Sequence, residues 1–294
     1  MNTAREVYIH REAWLQTFKD WQVVDCAIRD RNIVYVVLRK AIPPDEVTRF
    51  WDHEIPTRFV AIYLNERAPE ARLGHQGLTG FAHPVCSVAQ SPVPQGIVLS
   101  CNGDALAMGS GLKDLEKVPS PGERVALHKA RRIDGRTYAV GMLRDVYRRV
   151  DVGKWERLAT GLPVLSREEI SADETLDLGF RDIDGFSERE IYAVGGRGDV
   201  WRFDGRKWTA CELSTNWPVS TVCCAGDGVV YIGGEGGHVF SGRGDRWRRV
   251  VEQDYTVPYN DIVWYDGKLW LSSDFALDQL VDGMIAAAAD RGRR

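Results

Sequence analysis

The chain has 294 residues, 44% of them hydrophobic, which is ample for a packed core in one large domain or two. Its formal net charge of −4 gives no basic bias toward nucleic acid or an anionic membrane. Six cysteines without a CxxC pair argue against a disulfide framework, no apolar run reaches the length of a membrane span, and the opening residues lack a signal-peptide core, so a cytoplasmic chain is expected.

In chain order, residues 5–18 (REVYIHREAWLQTF) are expected to supply a strand to the opposite end of the molecule, with a short amphipathic helix over Glu12–Trp21 as the alternative. VVDCAIRD and NIVYVVLRK are β-branched strands across a polar turn. The proline-bearing AIPPDEVTRFWDHEIP reads as an insertion with a helical turn, and FVAIYLN as the next strand. Residues 74–118 hold HPVCSVAQ, GIVLSCNG and a third strand from Ala105. After the turn signal PSPGE, RVALHKARRID and RTYAVGM form a hairpin across Asp134–Gly135, followed by DVYRRV and KWERLA. Residues 161–178 are an acidic loop with capping-box spacing from Ser166 to Glu169. Three further groups of strands follow, starting at GFRDIDGF, VSTVCCAGD and YNDIVWYD. The Ala-rich tail from Met284 reads as a short helix.

Ile191–Trp208 (IYAVGGRGDVWRFDGRKW) returns as Val230–Trp247 (VYIGGEGGHVFSGRGDRW), with matched residues 39 apart. A further step reaches Leu269, Trp270 and Gly283, and a looser copy is Thr137–Trp155. A fixed period near 40 built of short strands is the signature of an all-β β-propeller. Six inner strands predict six blades, at about 22–73, 74–118, 119–160, 179–213, 219–252 and 258–283, in one domain over 1–294; seven is the alternative, because residues 40–118 are long enough to hide another. The glycines at 195, 196 and 198 and at 234, 236 and 237 are read as tight reversals. GGRG and GEGG lack the Lys-Ser/Thr and the helix that a phosphate-cradling loop needs, and Arg197-Gly198-Asp199 is a turn. Trp155, Trp208 and Trp247 are expected to pack between blades.

AVGGRGDVWRFDGRKW resembles the repeat of bacterial propeller proteins, distant relatives of the kelch, WD-repeat and BNR-like propellers. The likeness covers about half the chain, and the Asp-box of sialidase-like propellers is absent. It implies a fold that hosts both enzymes and binding scaffolds. With no catalytic signature present, the expected function is a monomeric, non-enzymatic, protein-binding propeller. Together with the absence of an export signal, the resemblance implies an immunity-type protein whose partner is a cognate toxin.

Turns and loops on one face carry charges and aromatics without an evident core role, and Arg144, Arg197, Trp217, Glu235, Asp254 and Tyr255 are the candidate protein-binding residues. The alternative is a hydrolase or lyase whose axial funnel holds His128, Asp182, Asp184 and Asp261. Asp182 and Asp184 would point the same way from one strand. Asp25, Arg29 and Arg131 are further polar residues of the inner strands. Histidines are too scattered for a metal signature, so neither metal nor cofactor is expected.

Overall fold

The computed structural model describes residues 9–65, 68–109, 112–119, 126–164, 179–251 and 257–288. They form six four-stranded antiparallel sheets, each built from four consecutive strands, the blades of a β-propeller. Blade one holds β1 (Trp21–Asp30), β2 (Ile33–Lys40), β3 (Thr57–Tyr63) and β4 (Leu73–Leu78); blade two holds β5 (Val85–Ala89), β6 (Gln95–Leu99), β7 (Asp104–Gly109) and β8 (Leu112–Lys117). Blade three is β9 (Leu127–Ile133), β10 (Arg136–Gly141), β11 (Val146–Asp151) and β12 (Lys154–Arg157). Blade four is β13 (Asp182–Ser187), β14 (Glu190–Gly195), β15 (Asp199–Phe203) and β16 (Trp208–Glu212). Blade five is β17 (Val219–Cys224), β18 (Val230–Gly234), β19 (Val239–Arg243) and β20 (Arg246–Arg249). Blade six is β21 (Asp261–Tyr265), β22 (Lys268–Ser272), β23 (Leu277–Val281) and β24 (Met284–Ala287).

Two compact units are present: Met1–Thr137 with Arg148–Glu156, and Tyr138–Tyr147 with Arg157–Arg294. In the first, the core lies between blades one and two, where Tyr35, Val37 and Phe59 pack with Cys86, Val88 and Val98. In the second, Tyr192, Val194 and Val200 pack with Val222, Ile232 and Phe240, and a further cluster joins Cys223 and Val239 to Ile262 and Leu271. Blades one and two, four and five, and five and six thus bury faces against their sequence neighbours, as repeat architectures require.

Over its described part, the expected closing strand of residues 5–18 is not a strand. Arg11–Phe18 is a helix, α1, while residues 1–8 lie outside the described residues. Trp14 and Phe18 stack at 4.1 Å, the i,i+4 spacing of a helix face. Arg58 Nη1 donates to the carbonyls of Gln16 and Thr17 at 2.9 and 2.8 Å, satisfying the last turn. The tail also departs from expectation: Met284–Ala287 is the fourth strand of blade six, paired with β23, and 289–294 lie outside the described residues. Blade one likewise runs on to Leu78, because Leu73–Leu78 pairs with β3.

The Asp134–Gly135 reversal forms as expected, with φ of 48° and 81°. Gly196 and Gly198 also have positive φ, at 46° and 76°. Gly195 and Gly234 are needed for a different reason. A Cβ at Gly195 would sit 1.9 Å from the Gly179 carbonyl oxygen, and one at Gly234 would sit 2.1 Å from that of Pro218. Trp155 and Trp208 are 6% and 2% exposed and lie between blades. Their Nε1 atoms donate to Glu116 at 2.8 Å and to the Leu158 carbonyl at 3.0 Å. Trp247 is half-buried and donates within its own turn, to the Gly244 carbonyl.

Candidate protein-binding face

The second unit stitches its blades together along the side that carries the turns between second and third strands. The Gly141 carbonyl accepts from Phe180 N at 2.9 Å, Gly196 from Val219 N at 2.9 Å, and Gly234 from Tyr259 N at 3.2 Å. Each acceptor is at or beside a strand-two end, and each donor leads into the next blade. The resulting surface has a fixed backbone, as a recognition face needs.

On it, the loop after β16 is folded by short-range bonds. Leu213 N donates to Cys211 O at 3.0 Å, Thr215 N to Leu213 O at 2.8 Å, and Trp217 N to Thr215 Oγ1 at 3.1 Å. The Gly198 turn fits against this loop, since a Cβ there would meet Leu213 O and Thr215 O at about 3.1 and 3.0 Å. On the other side Pro218 O accepts from Glu235 N at 3.0 Å. Trp217 is thereby placed over the blade-five turn, 4.5 Å from the ring of the buried His238, yet it stays 50% exposed. A groove of about 860 Å³ runs from this tryptophan along Leu213, Phe240, Trp247 and Arg248.

The structure thus joins Arg197, Trp217 and Glu235 in one patch, with Arg197 and Glu235 exposed. Arg144 is on the same side, but its head group is engaged internally. It donates twice to Asp199, from Nε at 2.7 Å and Nη2 at 3.1 Å, and lies 5.4 Å over the Trp201 ring. Trp201 Nε1 donates to the same carboxylate at 2.7 Å. This triangle braces the turn. Asp254 and Tyr255 lie outside the described residues, as does most of the acidic loop 161–178.

Sequence reasoning missed Phe275. It sits in the Ser273–Ala276 turn of blade six and is 84% exposed. The signal was available: Arg197, Gly236 and Phe275 follow one another at the 39-residue period, so all three occupy the same turn of successive blades.

The first-strand carboxylates act as staples between blades. Asp182 and Asp184 do point the same way, and both reach β17. Asp182 Oδ2 accepts from Thr221 Oγ1 at 2.9 Å and Val222 N at 3.1 Å, and Asp184 Oδ2 accepts from Cys224 N at 2.7 Å. Thr221 Oγ1 in turn accepts from Ile262 N at 3.1 Å and lies 3.4 Å from Asp261 Oδ1. In the first unit Asp25 Oδ2 accepts from Cys86 N at 2.7 Å in the same manner. Burial raises the Asp25 carboxyl above its ordinary 3.8, against the opposing pull of Lys129 and the Cys86 N–H. His128 is half-buried on β9. Among the described residues no three His, Cys, Asp or Glu side chains are grouped to hold a metal ion. Burial pushes the Cys86 and Cys224 thiols well above their ordinary 9.0, so both stay protonated core groups. Asp182→Ala should therefore destabilise the protein by about 2–3 kcal/mol, because it removes the carboxylate that accepts from the buried Val222 N–H and is the nearer acceptor of the Thr221 hydroxyl. A thermal or urea unfolding curve unchanged by Asp182→Ala would refute the staple.

No helix among the described residues is long and apolar enough to cross a membrane. No family model matches the chain. Over 202 residues the chain is 38% identical to Immune protein Tsi7 of Pseudomonas aeruginosa, covering 67% of this chain and 64% of that protein, so the match spans less than two thirds of the relative's length. Among solved structures, YCF48 bound to D1 peptide superposes with a TM-score of 0.59 at 14% identity, covering 97% of this chain and 87% of that one. The RRP9 WD40 repeats superpose with a TM-score of 0.62 at 10% identity, covering 92% and 80%. Likeness at such low identity speaks for the fold, and with six four-stranded sheets in hand it shows that the chain is a β-propeller.

Proposed function

We propose that this propeller is an immunity-type protein that binds and neutralises a cognate toxin in a bacterial cytoplasm, as a monomer, through the turn face of its second unit. The observation that carries the reading is Trp217: a large ring, half exposed, on a loop bonded at both ends to its neighbours. Aromatic anchors of this kind, held in place before binding, supply most of the affinity of protein interfaces. The likeness to Immune protein Tsi7 supports the same class of partner. The peptide named with YCF48 is compatible with a protein ligand on such a fold.

The test is co-expression with the toxin that copurifies with the chain, followed by titration of the two purified proteins. Trp217→Ala and Phe275→Ala should each weaken binding by about 1–2 kcal/mol, and toxicity should return in cells carrying the double variant. Protection and affinity unchanged in both variants would refute the assignment of the face.

A further inference from the structure

The groove beside Trp217 lies within the second unit, and strand register decides which side chains it holds. Cys211, the cross-strand partner of Val200, packs with it and with Leu213 toward blade five, so these residues form the blade-four wall. Glu212 pairs with Asp199, whose carboxylate is taken up by Arg144, and so stands on the blade-three side of β16. On β20, Trp247 and Arg249 pair with Gly242 and Phe240, while Arg248 pairs with Ser241 on the opposite face. Phe240 and Trp247 pack on the core shared with blade four, so Arg249 faces the groove with them. A row of neighbours results. Trp217 lies 4.5 Å from the His238 ring, His238 lies 6.5 Å from Phe240, and Arg249 is the cross-strand partner of Phe240.

The row ends in an uncommitted cation. Arg249 is exposed and makes no ion pair or hydrogen bond among the described residues. Other guanidiniums of the two blades are engaged: Arg202 and Arg243 are both drawn to Glu190. Asp245 also lines the groove, but it sits in the turn between β19 and β20, at the other end of β20 from Arg249. Burial first, and Asp245 second, push the Cys211 thiol up to about 11, so that part of the wall stays protonated.

A single guanidinium beside aromatic rings suits a carboxylate next to an apolar side chain, because its planar fork can donate two parallel N–H bonds to both oxygens. A nucleic-acid backbone would call for a row of cations along its phosphates, and Arg248 is turned away from the groove. At about 860 Å³ the groove is in the size range of sites that enclose a ligand rather than meet a flat surface.

We propose that this groove receives an extended segment of the protein partner, seating an apolar side chain against Trp217 and an Asp or Glu carboxylate on Arg249. This rests on the protein-binding reading above and names the chemistry that the site selects. The test uses the full chain and the partner with which it copurifies. Arg249→Ala should raise Kd about tenfold or more at low salt and by a smaller factor at high salt, with the melting temperature unchanged. Arg248→Ala, on the opposite face of the same strand, should change Kd by no more than about twofold. Arg249→Lys, treated with a carbodiimide that joins amines to carboxylates, should link position 249 to an Asp or Glu of the partner, as mapped by mass spectrometry. A Kd raised by Trp217→Ala but not by Arg249→Ala overturns the carboxylate and leaves the binding face standing. So does a loss in Arg249→Ala that is equal at every salt concentration, with no link formed. A Kd raised by Arg249→Ala but not by Trp217→Ala overturns the apolar seat. A link to an Asp or Glu of this chain, in the same molecule or another copy, overturns the assigned occupant. Kd unchanged in both Trp217→Ala and Arg249→Ala overturns the protein-binding face and this inference with it.

Discussion

Glu116→Ala should remove about 3–5 kcal/mol of unfolding free energy, the cost of leaving a buried charge without its partner. Glu116 and Arg149 both have side chains wholly removed from solvent. The carboxylate accepts from Arg149 Nε at 3.1 and 2.9 Å, from Arg149 Nη2, and from Trp155 Nε1 at 2.8 Å. Gln95 Oε1 accepts from Arg149 Nη2 at 2.8 Å. Alanine at 116 would take the carboxylate from both the buried guanidinium and the indole N–H, leaving Gln95 Oε1 to accept from Arg149 Nη2. Removing both charges, as in Glu116→Leu with Arg149→Met, should cost far less, since a well-packed apolar pair is often no worse than a buried ion pair. Urea unfolding of the two variants decides the matter. A loss below about 1 kcal/mol in Glu116→Ala would mean that the network contributes little.

Gly195→Ala should destabilise by about 3 kcal/mol or more, at the upper end for forcing atoms into a packed site, because the added carbon meets backbone and not a movable side chain. Its Cβ would lie 1.9 Å from Gly179 O and 2.9 Å from Gly179 C, so the entry to blade four must shift. Gly234→Ala repeats the experiment one blade on, against Pro218 O at 2.1 Å. Gly77→Ala, in β4 with nothing within 4 Å of its Cβ and no positive φ, is the control and should be neutral or stabilising by a few tenths of a kcal/mol. Equal melting temperatures for Gly195→Ala and Gly77→Ala would remove the close-approach explanation.

Blades four and five were legible because their second strands are short apolar runs, buried nearly throughout, bounded by glycines that recur at one spacing. Edge strands were the weak point. Leu73–Leu78 and Met284–Ala287 carry glycine, polar or alanine residues and little burial, so their sequences hold no strong strand period. The stretch before β1 echoes the later repeat in Val7, Ile9 and Trp14. Over Arg11–Phe18, however, aromatic stacking at i,i+4 and the Arg58 cap make a helix of it. For the candidate face, Trp217 could be read as a loop aromatic without a core role. The exposure of Phe275 depends on which way its turn projects.

The sequence by itself determined the repeat, the all-β character and the recurring glycine turns, because these follow from local periodicity and backbone sterics. Only the tertiary structure decided which charges are engaged inside the protein and which side chains meet solvent. Arg144 meets Asp199, Glu116 meets Arg149, and Asp182 meets Thr221 across 55, 33 and 39 residues of chain. Those partners are brought together by the stacking of one blade on the next, and no local period encodes which side chain will face which across that boundary.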